Sequence, residues 1–317
     1  MGNAPRVPGV VGCMPAPRLL SRGMRRLLVA AAILDLLAGT QAFLLADHAS
    51  TFFAWPIDAP LSAAFIGASF WAAGVLIFWC ARQDTWVRAR VAIPAVAVVV
   101  VTLLTATLRH LEAFTSPLGL VWIEVYALIG PVAAVLVALQ IAAPGADHHS
   151  GRHIPAGLRA GLAVLAGGLG AAGALLFLAP GTAADVWPWP LTELTSMALG
   201  GWLGGIAITA AYLVWFDDRA DLGGPLLSVT VLAACQLLAL ALHPGQLDAA
   251  DPALWAYAAA WAGALALGLA GVRVARGDGR YRVVRGPGGV PVEMVGPTFI
   301  AQVNGDRHRI PVELVRD

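Results

Sequence analysis

The feature that most constrains this chain is a series of eight apolar stretches, each long enough to cross a lipid bilayer. A transmembrane helix needs about 20 predominantly apolar residues. Eight segments meet this length: Leu27–Ala46, Leu61–Ala81, Val91–Leu108, Leu118–Ala143, Ala160–Ala179, Leu194–Phe216, Pro225–Leu242 and Ala253–Val274. The sequence therefore predicts an all-α integral membrane protein with eight transmembrane helices, embedded in a lipid bilayer.

The composition excludes several other classes of protein. Only 12% of the residues are charged and 59% are hydrophobic, whereas a soluble domain carries about 25% charged residues. The net charge of +1 argues against nucleic-acid binding, which requires a basic surface. The sequence contains no nucleophile triad, phosphate-binding glycine loop or His-Glu zinc motif. These observations disfavour an enzyme and leave any cofactor unidentified.

The arginines predict the orientation in the membrane. All 20 basic residues are arginine, and 19 of them lie near the chain ends or in one alternate set of loops, whereas Arg109 lies in the other set. Arginine-rich loops stay on the cytoplasmic side, so we expect both termini in the cytoplasm. The exclusive use of arginine is typical of a GC-rich bacterial genome, which indicates a bacterial plasma-membrane protein.

The sequence matches itself when it is shifted by 134 residues. The matching pairs include Arg25 with Arg159, Gly39 with Gly173, Phe43 with Phe177, Trp55 with Trp189, Pro56 with Pro190 and Gly67 with Gly201. We interpret the match as two parallel four-helix repeats, an arrangement that places the substrate site between the repeats in several transporters. The alternative is a duplication that only builds a helical bundle.

The predicted repeats divide the chain into five regions. They are an N-terminal arm (1–26), a first four-helix repeat (27–143), a cytoplasmic linker (144–158), a second four-helix repeat (159–275) and a β-rich cytoplasmic tail (276–317). The tail contains short β-type runs separated by turn residues, and Asn304-Gly305 is typical of a hairpin. Because so small a sheet is marginal on its own, we expect it to contact the membrane surface or a cytoplasmic partner.

Two loops at equivalent positions of the repeats carry prominent aromatic residues. The first contains Phe53 and Trp55, and the second contains Trp187 and Trp189. Such rings favour the membrane interface, so we interpret them as interfacial anchors, with aromatic lids over a central cavity as the alternative. The segment Phe53–Ala68 (FAWPIDAPLSAAFIGA) resembles a segment in a group of bacterial multi-spanning membrane proteins that have no assigned activity. The resemblance implies a membrane location.

Asp35 is a carboxylic acid within the first predicted span. It lies about 12 Å into that span at 1.5 Å per residue, where a carboxylate costs on the order of 2.5 kcal/mol or more. One interpretation is a binding or coupling group for a transported ion or solute, with Gln236 as a partner on another helix. The other is a neutral acid that is hydrogen-bonded inside the bundle. Glu124, near the start of the fourth span, faces either an outward vestibule or the interface.

Histidines at the ends of the third spans of both repeats indicate a second hypothesis. His110 and His243 occupy these positions, and His48 lies at the same membrane face. Paired histidines can hold a haem or share a metal with carboxylates. At a helix C-terminus they also cap carbonyls and interact favourably with the helix dipole, so both interpretations stay open.

Three functions are compatible with the sequence. The leading hypothesis is transport or binding of a small solute or ion at the interface of the two repeats. The alternatives are a haem- or metal-binding membrane redox protein and a non-catalytic assembly or scaffold protein whose tail recruits a partner. Small-residue patterns on the sixth span, such as Gly200-Gly201-Trp202-Leu203-Gly204-Gly205, pack helices closely within one chain or in a homo-oligomer.

Overall fold

A computed structural model describes residues 16–276 and, as backbone only, four strands of the tail. Residues 1–15 of the predicted arm and the Asn304-Gly305 turn lie outside the described residues. In the described part of the chain, eight helices are long and apolar enough to cross a membrane. The predicted multi-pass membrane architecture is therefore confirmed.

The eight long helices coincide closely with the predicted spans. They are α1 (Arg22–Leu44), α2 (Pro60–Ala81), α3 (Ile93–Arg109), α4 (Pro117–Ala142), α5 (Ala156–Leu178), α6 (Glu193–Phe216), α7 (Gly223–Leu242) and α8 (Pro252–Arg276). Short helical segments in the loops are Ala46–His48, Ala49–Phe52, Trp86–Ala89, Arg90–Ala92, Leu111–Ala113, Pro180–Ala184, Arg219–Asp221 and Pro244–Gln246. The segments before α3 continue into it, so that this span extends over Trp86–Arg109.

The local sequence explains where several helices begin. The side chains of Ser21, Ser116 and Thr192 each accept a hydrogen bond from the backbone N–H three residues later, which caps α1, α4 and α6. Proline occupies the first turn of α2, α3 and α4, where its missing N–H has no intrahelical role. The apolar interiors then pair their backbone groups within each helix, as a bilayer requires.

The helices α2 and α6 form the centre of the bundle. Most of their residues are buried, whereas only a small share of the residues of α4, α5 and α8 is buried. The helix α1 packs along α2, and α5 packs along α6. The third long helix of each half crosses to the other half, because α3 packs on α6 and α7 packs on α2. Each central helix therefore contacts both halves of the chain.

Glycine pairs bring α1 close to α2 and α5 close to α6. A β-carbon on Gly67 would lie 2.5 Å from the backbone nitrogen of Phe43, and one on Gly200 would lie 2.7 Å from the carbonyl oxygen of Gly173. Both distances are too short for a van der Waals contact, so a larger residue would separate the helices. Small residues are the usual means of close helix packing in membranes.

The loops form two faces at opposite ends of the bundle. The arginine-rich face comprises residues 16–21, 82–92, 143–155 and 217–222 and the C-terminal end of α8. There, Arg25 donates to the carbonyl oxygen of Ala81 (2.6 Å) and Arg90 pairs with Asp147 (2.7 Å). The aromatic face comprises residues 45–59, 110–116, 179–192 and 243–251. There, the indole N–H of Trp189 donates to the hydroxyl of Ser62 (2.9 Å).

The described strands of the tail form a four-stranded antiparallel sheet in sequential order. They are β1 (Tyr281–Arg285), β2 (Pro291–Val295), β3 (Thr298–Val303) and β4 (Asp306–Pro311). Val303 lies opposite Asp306 in the register of β3 and β4.

Candidate functional site

A cavity of about 370 Å³ lies among helices from both halves of the chain. Its walls come from α1, α2, α3 and α4 of the first half and from α6 and α7 of the second. Small-molecule sites in proteins usually have volumes of about 300–1,000 Å³. The volume therefore suits a small ligand. We call this space the Asp35 cavity.

Asp35 is the only acidic or basic side chain among the described residues that line this cavity. It lies near the middle of α1, about 20 Å from the start of the helix and about 14 Å from its end at 1.5 Å per residue. In the described part of the chain, no group donates a hydrogen bond to its carboxylate or forms an ion pair with it. The interpretation of Asp35 as a neutral acid requires a hydrogen-bond partner inside the bundle. The described part of the chain contains no such partner.

Hydroxyl groups in the wall present acceptor atoms to the cavity. Ser69 and Thr209 donate their protons to backbone carbonyls one turn earlier in their own helices (2.9 and 3.0 Å). Ser228 donates to the carbonyl oxygen of Ala72 in α2 (2.6 Å). Since a hydroxyl that has donated its proton can only accept further hydrogen bonds, these groups favour a ligand with donors or positive charge.

Aromatic rings form another part of the wall. Trp122 and Tyr126 lie one turn apart on α4 and are stacked, with 4.3 Å between their centroids. Trp202 of α6 packs edge-on against Phe70 of α2, with 4.7 Å between the centroids. All four rings line the cavity. The face of an aromatic ring attracts cations, so the rings and the carboxylate favour the same charge on a ligand.

A second cavity, of about 700 Å³, lies against α5, α6 and α8, and we call it the Leu169 cavity. Many of its lining residues lie 134 positions after lining residues of the Asp35 cavity. These pairs are Ala31 with Leu165, Leu34 with Gly168, Asp35 with Leu169, Ala38 with Ala172, Phe53 with Trp187, Trp122 with Ala256 and Tyr126 with Ala260. None of its described lining residues is charged. The two cavities thus differ in charge.

Gln236 and Glu124 do not line the Asp35 cavity. Gln236 is buried, where it accepts a hydrogen bond from the hydroxyl of Tyr257 (2.9 Å) and donates to the carbonyl oxygen of Phe65 (3.4 Å). Glu124 is exposed on α4. The expected pairing of Asp35 with Gln236 therefore has no contact in the structure.

The histidines of the aromatic face lie beside carboxylates or in solvent-accessible positions. Nδ1 of His110 is 3.6 Å from Glu112, and Nδ1 of His243 is 3.5 Å from Asp47, while His48 is exposed. Among the described residues, none of these histidines belongs to a group of three side chains whose ligand atoms are close enough for a metal. The haem or metal hypothesis stays a prediction.

The aromatic loop residues are packed among the helices. Trp55 and Trp189 are each 3% exposed, and the ring centroids of Trp55 and Trp122 are 5.2 Å apart. Phe53 lines the Asp35 cavity, and Trp187 lines the Leu169 cavity. The contacts of Phe53 and Trp187 with the cavities fit the interpretation as aromatic lids. Interfacial anchors would instead expose their rings to lipid headgroups.

A buried ion-pair cluster on the arginine-rich face joins the two halves. Nη1 of Arg88 lies 2.9 Å from a carboxylate oxygen of both Asp218 and Asp221, and these three side chains are at most 2% exposed. Nδ1 of His149 lies 3.4 Å from Asp218. The histidine and the two carboxylates are spaced as a metal site would be, but the guanidinium already supplies the positive charge between the carboxylates.

The two carboxylates of this cluster have different pKa values. Burial opposes the ionisation of Asp218, but the adjacent His149, the charge of Arg88 and a hydrogen bond from Ser150 lower its pKa well below the usual value. Burial raises the pKa of Asp221 to about 6, against the opposing charge of Arg88. One oxygen of Asp221 has no hydrogen-bond partner among the described residues, which explains why its charged form is less favoured.

The sequence identifies Asp35 as a candidate site residue but does not identify the groups around it. The spacing of Trp122 and Tyr126, four residues apart, places them on one helix face and could have marked a shared aromatic surface. The sequence does not predict the cluster of Arg88, Asp218 and Asp221, because these residues lie in loops that are far apart along the chain.

No protein-family model, curated protein or solved structure matches this chain.

Proposed function

We propose that this protein binds a small cation in the Asp35 cavity, as the substrate-binding step of transport across the membrane. The observation that carries the proposal is the Asp35 carboxylate, which lines the cavity near the middle of α1 without a described hydrogen-bond or ion-pair partner. An ionised carboxylate at this depth costs on the order of 2.5 kcal/mol or more, and such a residue marks a functional site by default. A cation bound beside it offsets that cost.

The proposal includes two parallel four-helix repeats, residues 27–143 and 159–275, with the Asp35 cavity at their interface. It is supported by the lining positions that recur after 134 residues and by the similar glycine contacts of α1 on α2 and of α5 on α6. Substrate sites lie at repeat interfaces near the bilayer midplane in several transporter folds. Leu169 occupies the position equivalent to Asp35 in the second repeat. Of the two cavities, only the Asp35 cavity therefore has a carboxylate among its described lining residues.

The proposed location is the bacterial plasma membrane, with the arginine-rich face, both termini and the β-rich tail in the cytoplasm. The distribution of arginine supports this orientation, since 19 of the 20 lie near the chain ends or in one alternate set of loops. The aromatic face then lies outside the cell.

Direct binding tests the proposal. The full chain in lipid nanodiscs is titrated with radiolabelled Na⁺, tetramethylammonium, decyltrimethylammonium and tetraphenylphosphonium. We expect at least one of these cations to bind saturably, and the Asp35→Asn variant to bind it at least about thirtyfold more weakly, because removing one partner of a buried charge pair costs about 2–5 kcal/mol. Binding that survives Asp35→Asn, or no saturable binding of any of the four cations, contradicts the proposal.

Glu124→Gln is the matched control, because it removes an exposed carboxylate of α4 that does not line the cavity. It should leave the affinity unchanged. Counterflow of the bound cation in proteoliposomes then tests transport. We expect faster exchange with the wild-type protein than with Asp35→Asn, and exchange no faster than in protein-free liposomes would contradict the transport step.

A further inference from the structure

We propose that the cation is an amphipathic organic cation, with a charged ammonium-like head and an apolar body, which enters the Asp35 cavity from the bilayer between α1 and α4. This inference rests on the function proposed above, which requires only that a cation binds at Asp35. It adds the chemical class of the ligand and its route of entry.

The rim of the cavity between α1 and α4 consists of exposed apolar side chains. Leu34 and Leu37 of α1 are 54% and 62% exposed, and Val121 and Val125 of α4 are 53% and 37% exposed, although all four line the cavity. Phe70, which lines the cavity deep in its wall, is only 4% exposed, so the larger exposures of these four side chains place them at the opening. Because these positions belong to membrane-spanning helices, the opening faces lipid.

The packing of α1 and α4 leaves room for such an opening. The helix α1 packs along α2, and α4 flanks α3, whereas direct contacts between α1 and α4 are few. Their hydrogen-bonded connection lies at the arginine-rich face, where the side-chain oxygen of Gln140 accepts from the backbone N–H of Ser21 (2.8 Å). The two helices are thus joined near one membrane surface, away from the level of Leu37 and Val121.

The wall of the cavity favours an organic cation over a bare metal ion. Hard divalent cations take six or more oxygen ligands, whereas this wall is mostly apolar and presents one carboxylate and the hydroxyls of Ser69, Thr209 and Ser228. The rings of Trp122 and Tyr126 are of the kind that recognise quaternary ammonium groups. The apolar remainder of the wall suits the body of an amphipathic ligand.

A chain-length series tests the ligand class. The protein in nanodiscs is titrated with tetramethyl-, hexyltrimethyl- and decyltrimethylammonium, and partitioning into lipid is subtracted with the Asp35→Asn variant. We expect the Asp35-dependent affinity to rise at least about tenfold along the series, because a buried CH₂ contributes about 0.8 kcal/mol. If tetramethylammonium or Na⁺ binds at Asp35 as tightly as decyltrimethylammonium, the proposed function stands and this inference fails. If the binding of no cation depends on Asp35, both the proposed function and this inference fail.

Substitution with tryptophan at the rim of the Asp35 cavity tests the route by which the ligand enters. Val121→Trp adds bulk at the opening, and Leu120→Trp is the matched control, because Leu120 is 56% exposed at the same depth but does not line the cavity. Association of decyltrimethylammonium is followed by stopped-flow tryptophan fluorescence. We expect Val121→Trp to slow association at least tenfold relative to Leu120→Trp. Equal association rates in the two variants would overturn entry between α1 and α4.

Discussion

The Asp35 and Leu169 cavities are lined from corresponding positions of the two halves, yet they offer different chemistry. In the first, the rings of Trp122 and Tyr126 and one carboxylate surround about 370 Å³. In the second, alanines stand at the positions of both rings, and the volume is about 700 Å³. Similar helix frameworks can therefore hold different sites, and the side chains decide what each site binds.

Exchanging Asp35 and Leu169 should have the largest effect on ligand binding. Asp35→Leu should weaken the binding of decyltrimethylammonium at least about thirtyfold, because the charge pair is lost. Adding Leu169→Asp should not restore binding, since no serine or threonine hydroxyl is among the described residues that line the Leu169 cavity. Nanodisc titration measures both variants. Tight binding by the double variant would mean that the carboxylate alone selects the ligand.

Substitution of the paired glycines tests the helix packing that the two halves share, and not the cavities. Gly67→Ala and Gly200→Ala should each destabilise the protein by about 1–3 kcal/mol through overpacking. The measurement is thermal unfolding in detergent. Gly168→Ala is the control, because a β-carbon there has no neighbour within 4 Å. A marked loss in one half alone would contradict the similarity of the two glycine contacts.

Removal of a ring tests the aromatic difference between the cavities. Trp122→Leu should weaken the binding of decyltrimethylammonium about threefold to thirtyfold, because a cation–π contact contributes roughly 0.5–2 kcal/mol. Trp187→Leu, which removes a ring from the Leu169 cavity, should leave the affinity unchanged. Both affinities come from the nanodisc titration. Equal losses in the two variants would remove the distinction between the cavities.

The smallest expected effect comes from Asp221, a carboxylate of the buried ion-pair cluster that joins the two halves. The pKa of Asp221 is raised from 3.8 to about 6, so its contribution to stability is present below pH 4 and is lost as the pH rises through 6. Asp221→Asn should therefore show a smaller fall in thermal midpoint between pH 4.5 and 7 than the wild type. A fall of the same size in both proteins would contradict the raised pKa.

The lowered pKa of Asp218 predicts the opposite trend on the acid side. Its stabilisation is present above the ordinary pKa of an aspartate and is lost as the pH falls below that value. Asp218→Asn should therefore reduce the loss of stability at acid pH. It should also shift the loss between pH 4.5 and 7 to lower pH, because the charge of Asp218 helps to raise the pKa of Asp221. Thermal unfolding across the pH range measures both effects.

The positions of the spans and of Asp35 were predictable because both depend on local sequence. A run of about 20 apolar residues identifies a span by itself, and a carboxylate inside such a run is conspicuous. The residues around Asp35 were not predictable in this way. Gln236 was expected beside it but contacts Tyr257 instead, because hydropathy does not specify which face of one helix meets which face of another.

The sequence also did not predict the contacts between the two halves of the chain. The crossing of α3 to α6 and of α7 to α2 depends on the fit of helix surfaces, and small residues permit several such fits. The pairing of Arg88 with Asp218 and Asp221 follows from that crossing. A long-range ion pair can be recognised only after the helices that carry it have been placed.

The burial of Arg88 constrains the order in which the newly synthesised chain is assembled. Its partners Asp218 and Asp221 follow 130 and 133 residues later in the chain, so α3, α4, α5 and α6 leave the ribosome before either partner does. Until then, the guanidinium lacks both of these carboxylates and stays hydrated at the membrane surface, because burying it without their opposite charge is costly. Docking of the second half on the first therefore comes late in biosynthesis, and water loses access to Arg88 at that step.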